Sequence, residues 1–196
     1  LENFDAVLND HEVMDYESQL PDGWKMAFNV TEFLFCSWDG LIGLLDTFER
    51  FYPEIEAIGS RPVCLADNEL NLPIEDPLWK NRTWGFIDEP TERGWRYIHK
   101  AKHGAYATGR HETGLRYKNL ESFLHLHFSY SPWPDVLERK MQIQTKIPES
   151  DKQARRGVHH IHTREELEKK RLHYLQKSAN LLEDPLFKRT YEELLG

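Results

Sequence analysis

GWRYIHKAKHGAYATGRHETG, residues 94–114, and the FLHLHFSYS that follows at 123–131 decide how this chain reads. In the second stretch Leu124, Leu126 and Phe128 alternate with His125 and His127. That period of two describes a strand with one apolar face, and it sets the two imidazoles on the other face, roughly 7 Å apart at the backbone. Trp95 to Ala101 reads as a second strand, and Gly104 and Gly109 let the chain between them turn sharply and expose His111. Imidazoles and a carboxylate on short strands joined by Gly-containing turns are the makings of a metal or anion site at a sheet edge.

Working outward, Phe4 to Leu8 reads as a short opening strand that ends in the polar cluster Asn9-Asp10-His11-Glu12. Met26, Phe28 and Val30 alternate, and Phe33 and Phe35 continue in the opposite phase, as in one bulged strand or two short ones. Ser37 is placed to cap a helix with Leu41, Leu44, Leu45 and Phe48 on one face, stopped before Pro53. Between Gly59 and Arg93, Pro62, Pro73, Pro77 and Pro90 interrupt every pattern, so a long irregular excursion is expected. Ser131-Pro132-Trp133-Pro134 signals entry into a helix striped by Val136, Leu137 and Met141, which Pro148 ends. SDKQARRG (150–157) reads as a charged linker. Thr163 and Glu166 then form a capping box for a helix buried through Leu167, Leu172, Leu175 and Leu182. The fold class expected is α/β, a mixed sheet with flanking helices in 1–150 and a charged linker with C-terminal helices in 151–196.

With 196 residues and 12% aromatics, the chain can build a substantial core. Its net charge of -8 argues against a nucleic-acid partner, which would need clustered Lys and Arg. No apolar run is long enough to span a bilayer, and the opening residues do not read as a leader. Cys36 and Cys64 lack metal-knuckle spacing and read as buried thiols, and a cytoplasmic setting is expected.

Four constellations are candidates for chemistry. Asn9-Asp10-His11-Glu12 offers carboxylates and an imidazole suited to a divalent ion such as Mn2+ or Mg2+, against an acidic turn that merely caps the next element. Gly109-Arg110-His111-Glu112 offers an exposed ring, against a solvated surface His. His125-Leu126-His127 offers paired rings, against a polar face packed on a loop. Arg155-Arg156-Gly157-Val158-His159-His160-Ile161-His162 offers a diphosphate or carboxylate cradle before a capped helix, against a basic linker docked on an acidic protein. No GxSxG elbow, GxxxxGK[ST] loop or HExxH motif occurs.

Taken in order, DAVLNDHEVM (5–14), ATGRHETG (107–114), LHLHFSYSPW (124–133) with LERKM (137–141), and RRGVHHIH (155–162) resemble the family 2 type glycosyltransferases of GT-A fold. That branch shares a DADEF strand end, a GNHE turn, an HFPYRS strand and a later GxH. The resemblance implies that the acidic motif (Asn9, Asp10, Glu12) contacts a nucleotide-sugar donor, and that His11, Asp10, His111 and His127 hold the divalent ion. Glu12 matches the family Glu, whereas Asn9 and His11 stand where the family has two aspartates, and the Arg of the HFPYRS strand has no counterpart. The implied reaction transfers a sugar to a saccharide or other hydroxyl acceptor by direct displacement. Glu112 and Asp39 are the catalytic-base candidates, and Trp24, Trp38 and Trp133 would stack on sugar faces. A nucleotide-binding βαβ half has no counterpart in these residues, so a longer chain or a partner chain is expected to supply it. The alternative is a non-catalytic glycan- or protein-binding module, or a metal-dependent hydrolase built on His125, His127 and His159.

Overall fold

The computed structural model describes residues 6–88, 94–153 and 161–196. The chain folds as a mixed α/β unit in which helices flank a seven-stranded sheet. Strand β3 (Ala57–Ala66) is its centre and is buried along nearly its whole length. On one side it runs parallel to the long β6 (Tyr117–Tyr130), which pairs with β2 (Glu32–Phe35). On its other side β3 pairs first with β5 (Arg96–His99) through residues 57–60, then with β4 (Trp84–Ile87) through residues 63–65. Short β1 (Lys25–Met26) extends the β5 edge and β7 (Ala179–Asn180) extends the β4 edge.

Of the expected irregular excursion at 59–93, residues 59–66 instead belong to the central strand and 84–87 to β4, while 67–83 do run without helix or strand. Pro62 misled the reading, because proline removes a ladder donor and usually marks an edge. Here it falls at the step where β3 exchanges β5 for β4, next to a register shift against β6 between Ser60 and Arg61. Its missing N–H is lost where the ladder is already interrupted.

The opening segment is also corrected. Residues 6–8 and the polar cluster after them belong to helix α1 (Ala6–Gln19), not to a strand. Its cohesion comes from polar docking. Asp10 and Glu17, seven residues and so about two turns apart on one face, are its two buried acids.

Of the remaining local signals the helix caps hold, whereas Val30, expected in a strand, is 90% exposed beyond β1, and Leu182, expected on the Thr163-capped helix, lies in a separate 3-10 turn. Ser37 accepts from Gly40 N at the start of α2 (Trp38–Phe51). Phe48 packs with Ile58, Ile98 and Phe123, flanked by Leu41, Leu44 and Leu45. Helix α3 (Asp135–Thr145) packs Val136 and Leu137 on Tyr130, Trp133 and Leu167, the last from α5 (Arg164–Lys177). The Thr163/Glu166 capping box is present. Leu172, expected inside, is 54% exposed, because α5 turns Leu167 and Arg171 inward instead. Part of the expected charged linker is a short helix, α4 (Glu149–Gln153), and 154–160 lie outside the described residues.

The C-terminal residues supply core. Helix α6 (Pro185–Leu195) brings Phe187 onto Phe35, with ring centroids 4.8 Å apart and stacked. Phe187 joins Val63, Leu65, Leu124, Leu126 and Phe128 on the apolar face of the sheet. Phe187→Ala is expected to cost about 3–5 kcal/mol in chemical denaturation, and a loss below about 1 kcal/mol would show that α6 is peripheral to the fold.

Candidate functional site

On the face of the sheet opposite that layer, a group of polar side chains sits beside the apolar cluster of Phe48, Ile58, Ile98 and Phe123. Glu32, paired in register with His127, and Leu34, paired with His125, put a carboxylate and two imidazoles on that face. From β5, Arg96 donates through Nε to Glu32 Oε2 at 2.7 Å and through Nη2 to Oε1 at 2.6 Å, a two-pronged ion pair with both side chains almost fully buried. Burial alone would raise the Glu32 carboxyl. The hydrogen bonds and charge of Arg96 outweigh it and hold that carboxyl at about 2.

Arg96 Nη1 also reaches His111 Nδ1 at 2.5 Å. A guanidinium only donates, so Nδ1 of His111 is the acceptor and its proton sits on Nε2. On β6, His125 Nδ1 lies 2.9 Å from Ser60 Oγ, whose hydroxyl is directed to Arg96 O. That makes Nδ1 of His125 a donor and leaves its buried Nε2 an acceptor with no partner. Burial, reinforced by Arg96, pushes the imidazoles below their ordinary 6.5: His111 and His127 to about 4 and His125 to about 3. All three are neutral near pH 7.

His111 is carried by a hairpin-like loop. Tyr106 bridges Thr113, Gly114 N donates to Ala105 O, and Arg110 N donates to Ala107 O. Arg110 has φ 59°, in the left-handed region that non-glycine residues seldom adopt. What holds it there is α1. Asp10 Oδ1 accepts from Arg110 Nη1 at 2.7 Å and Oδ2 from Gly109 N at 2.7 Å. Arg110 Nη2 also donates to the Asn29 side chain, and Asn29 N donates to Glu32 Oε2. At the other end of the loop Glu17 accepts from Gly104 N and from the Tyr106 hydroxyl, each at 2.9 Å, and lies 3.2 Å from His99 Nε2. A continuous polar chain thus runs from Asp10 through Arg110, Asn29, Glu32 and Arg96 to His111.

The sequence-selected residues divide accordingly. Asp10, His111 and His127 join this cluster, whereas Asn9, His11 and Glu12 are exposed on α1. Glu112 is exposed on the loop beside His111, and Asp39 is exposed in the first turn of α2, beyond the end of β2 remote from Glu32. Trp133 is buried beneath Arg171, whose guanidinium sits 5.1 Å over its ring, so it offers no face to a sugar. Trp24 is half-buried with Lys100 over its ring, and Trp38 is exposed. Arg155 to His160 lie outside the described residues, and His162 is half-buried beside Lys170.

Of the residues expected to hold Mn2+ or Mg2+, His11 is exposed on α1 and two others are already partnered. Both oxygens of Asp10 are engaged by Arg110 and Gly109, and His111 Nδ1 by Arg96. Among the described residues no three His, Cys, Asp or Glu side chains are grouped to hold a metal ion. The cation against Asp10 is a guanidinium.

Glu32, Arg96, Asn29 and Glu17 were not singled out in the sequence. A signal was there: Glu32 and Arg96 are lone charges in strand-forming runs, EFLF and WRYIH, and a charge placed inside must find a partner. Compared with known proteins, the chain matches no family model, no curated protein and no solved structure.

Arg96→Met leaves the Glu32 charge buried and unpaired, so a loss of about 3–5 kcal/mol is expected. The double variant Glu32→Leu/Arg96→Met should be milder, and equal losses would mean that the pair is not coupled. The depressed imidazoles add a pH dependence. Between their ordinary 6.5 and about 4 the unfolded chain takes up protons that the folded chain refuses. Thermal stability is therefore expected to fall through that window on acidification, with the Glu32 contribution lost lower, between about 4.5 and 2. A melting temperature flat from pH 7 to pH 4.5 would contradict neutral burial of these rings.

Proposed function

We propose that this chain is the acceptor-side portion of a glycosyltransferase of GT-A type, moving a sugar from a nucleotide-sugar donor to a hydroxyl acceptor, a saccharide in the first instance. What supports the reading above all is the meeting of Asp10 with Gly109 and Arg110 across a hundred residues of chain. The resemblance pairs an acidic motif with a Gly-x-His-Glu turn around one reacting centre. Two charge-assisted hydrogen bonds join those stretches here.

Around this junction Glu12 and Glu112, each two residues from a bonded partner, are exposed to solvent. Glu112 is the proposed base that takes the acceptor proton, since it sits on the loop that Asp10 fixes in place. Asp39, on α2, is outside this arrangement. Half-buried His111 and buried Arg96 rigidify the loop from beneath, which keeps the carboxylate registered on its acceptor. The nucleotide-binding half would come from another stretch of chain or from a partner. Free cysteines at 36 and 64 are in keeping with a reducing, cytoplasmic setting.

A second reading has one observation in its favour. With the Asp10 carboxylate occupied by Arg110, the same junction serves a non-catalytic glycan- or protein-binding module equally well. Donor turnover separates the two. Protein expressed from its complete reading frame is expected to release free nucleotide from at least one of a panel of nucleotide sugars, assayed with and without Mn2+ or Mg2+. Asp10→Asn should lower that release about 100-fold by freeing the loop. No release from any donor, with or without metal, would leave the binding module as the function.

A further inference from the structure

A cavity of about 290 Å³ opens away from the Asp10–His111 cluster, at the corner where β3 ends and β4 meets β7. That volume is close to the ~300 Å³ lower bound of ordinary ligand clefts, room for one small polar ring. We propose that it is a saccharide-binding groove that takes a single uncharged sugar residue, the end or branch of a longer glycan. The choice of ligand class leans on the glycosyltransferase reading, whereas the groove rests on its own geometry.

Its floor is built and rigid. Asp67 and Arg82 are both almost completely buried, with Arg82 Nε 3.6 Å from Asp67 Oδ1. Asp67 accepts from the Ser131 hydroxyl at 2.5 Å and from Trp133 N at 2.8 Å. Arg82 spends its terminal nitrogens on the Pro73, Leu78 and Leu72 carbonyls and on Asn81 Oδ1. These bonds pin the whole 67–83 loop. They leave one floor donor, Arg82 Nε, buried without a hydrogen-bond partner.

The walls carry the groups that floor chemistry has not consumed. Asn68, Glu69, Thr83 and Trp84 all line the cavity. Asn180 joins them, its Oδ1 accepting from Leu182 N and its NH2 left available. These lining side chains include amides, an indole, a carboxylate and a hydroxyl, which between them can donate and accept hydrogen bonds. Vicinal sugar hydroxyls, each a donor and an acceptor, match that mixture, and Trp84 adds an aromatic surface for the apolar side of a ring. Phosphate does not match it. Among the described lining residues the one cation, Arg82, already donates through both terminal nitrogens, and two carboxylates share the site. An apolar ligand fares no better, because Leu72 is the one aliphatic side chain among the described lining residues.

The test is binding to the intact protein with no nucleotide donor present, using cellotriose, maltotriose, chitotriose and the matching monosaccharides, read by calorimetry and by the 1H–15N indole signal of Trp84. At least one saccharide is expected to bind and shift the Trp84 signal, and inorganic phosphate at equal concentration is not. Trp84→Ala and Asn68→Ala should each weaken binding about tenfold, the worth of one good contact. Asn68 is exposed, so its variant keeps the test alive if the Trp84 variant misfolds. No binding by any probe, binding that leaves Trp84 and the Asn68 variant unaffected, or an equal response to phosphate would overturn the proposal. Donor hydrolysis reads the other site. Its absence alongside saccharide binding would count against transfer alone, and its presence without saccharide binding would count against the groove alone.

Discussion

Arg96 is a guanidinium in the middle of a sheet, and the polar half of this molecule is organised to make that tolerable. Stripping a charge of water costs several kcal/mol, a penalty repaid only when its geometry and hydrogen bonds are nearly complete. Glu32 supplies both carboxylate oxygens, His111 an imidazole nitrogen and Trp95 a backbone carbonyl. Each partner comes from a different part of the chain. Satisfying Arg96 therefore fixes β2, β5 and the loop at 104–114 relative to one another. Removing either partner would leave the other charge buried and unpaired.

The same logic extends to α1. A helix without a strong apolar stripe gains little from ordinary burial, and this one is attached through Asp10 and Glu17 to the two ends of the His111 loop. The left-handed conformation of Arg110 is a local cost, of order 1–3 kcal/mol for such strain, and Asp10 is what offsets it. Strain of this sort sits beside the turn on which the functional reading depends. The loop is held rigid from below by Arg96 and from the side by α1, leaving Glu112 toward solvent.

Much of the layout was legible from short-range pattern. The alternation in FLHLHFSYS placed Leu124, Leu126 and Phe128 on one face and His125 and His127 on the other, as they stand. Ser37 and the Thr163/Glu166 box named two helix starts. The centre of the sheet was missed because Pro62 looks like a breaker until its neighbours are known, and α1 was missed because its face is defined by acids whose partners lie about a hundred residues away. Within the candidate site, the His111 turn and Asp10 were visible as motifs. Their coupling through Arg110 was not, since nothing in the spacing of Gly-Arg-His-Glu says whether the acid across the fold meets a metal ion or a guanidinium.

Sequence by itself determined the elements whose signals are local: amphipathic periods, caps and turns, which act over a few residues and need no knowledge of the rest. It also determined that uncommon buried charges would require partners, because desolvation is a property of the side chain. Which partners they found was decided only in three dimensions. The exchange of β5 for β4 along β3, the seating of Glu32 on Arg96 and the docking of α1 all depend on contacts between distant segments. Their energies exist only once the sheet has closed and excluded water.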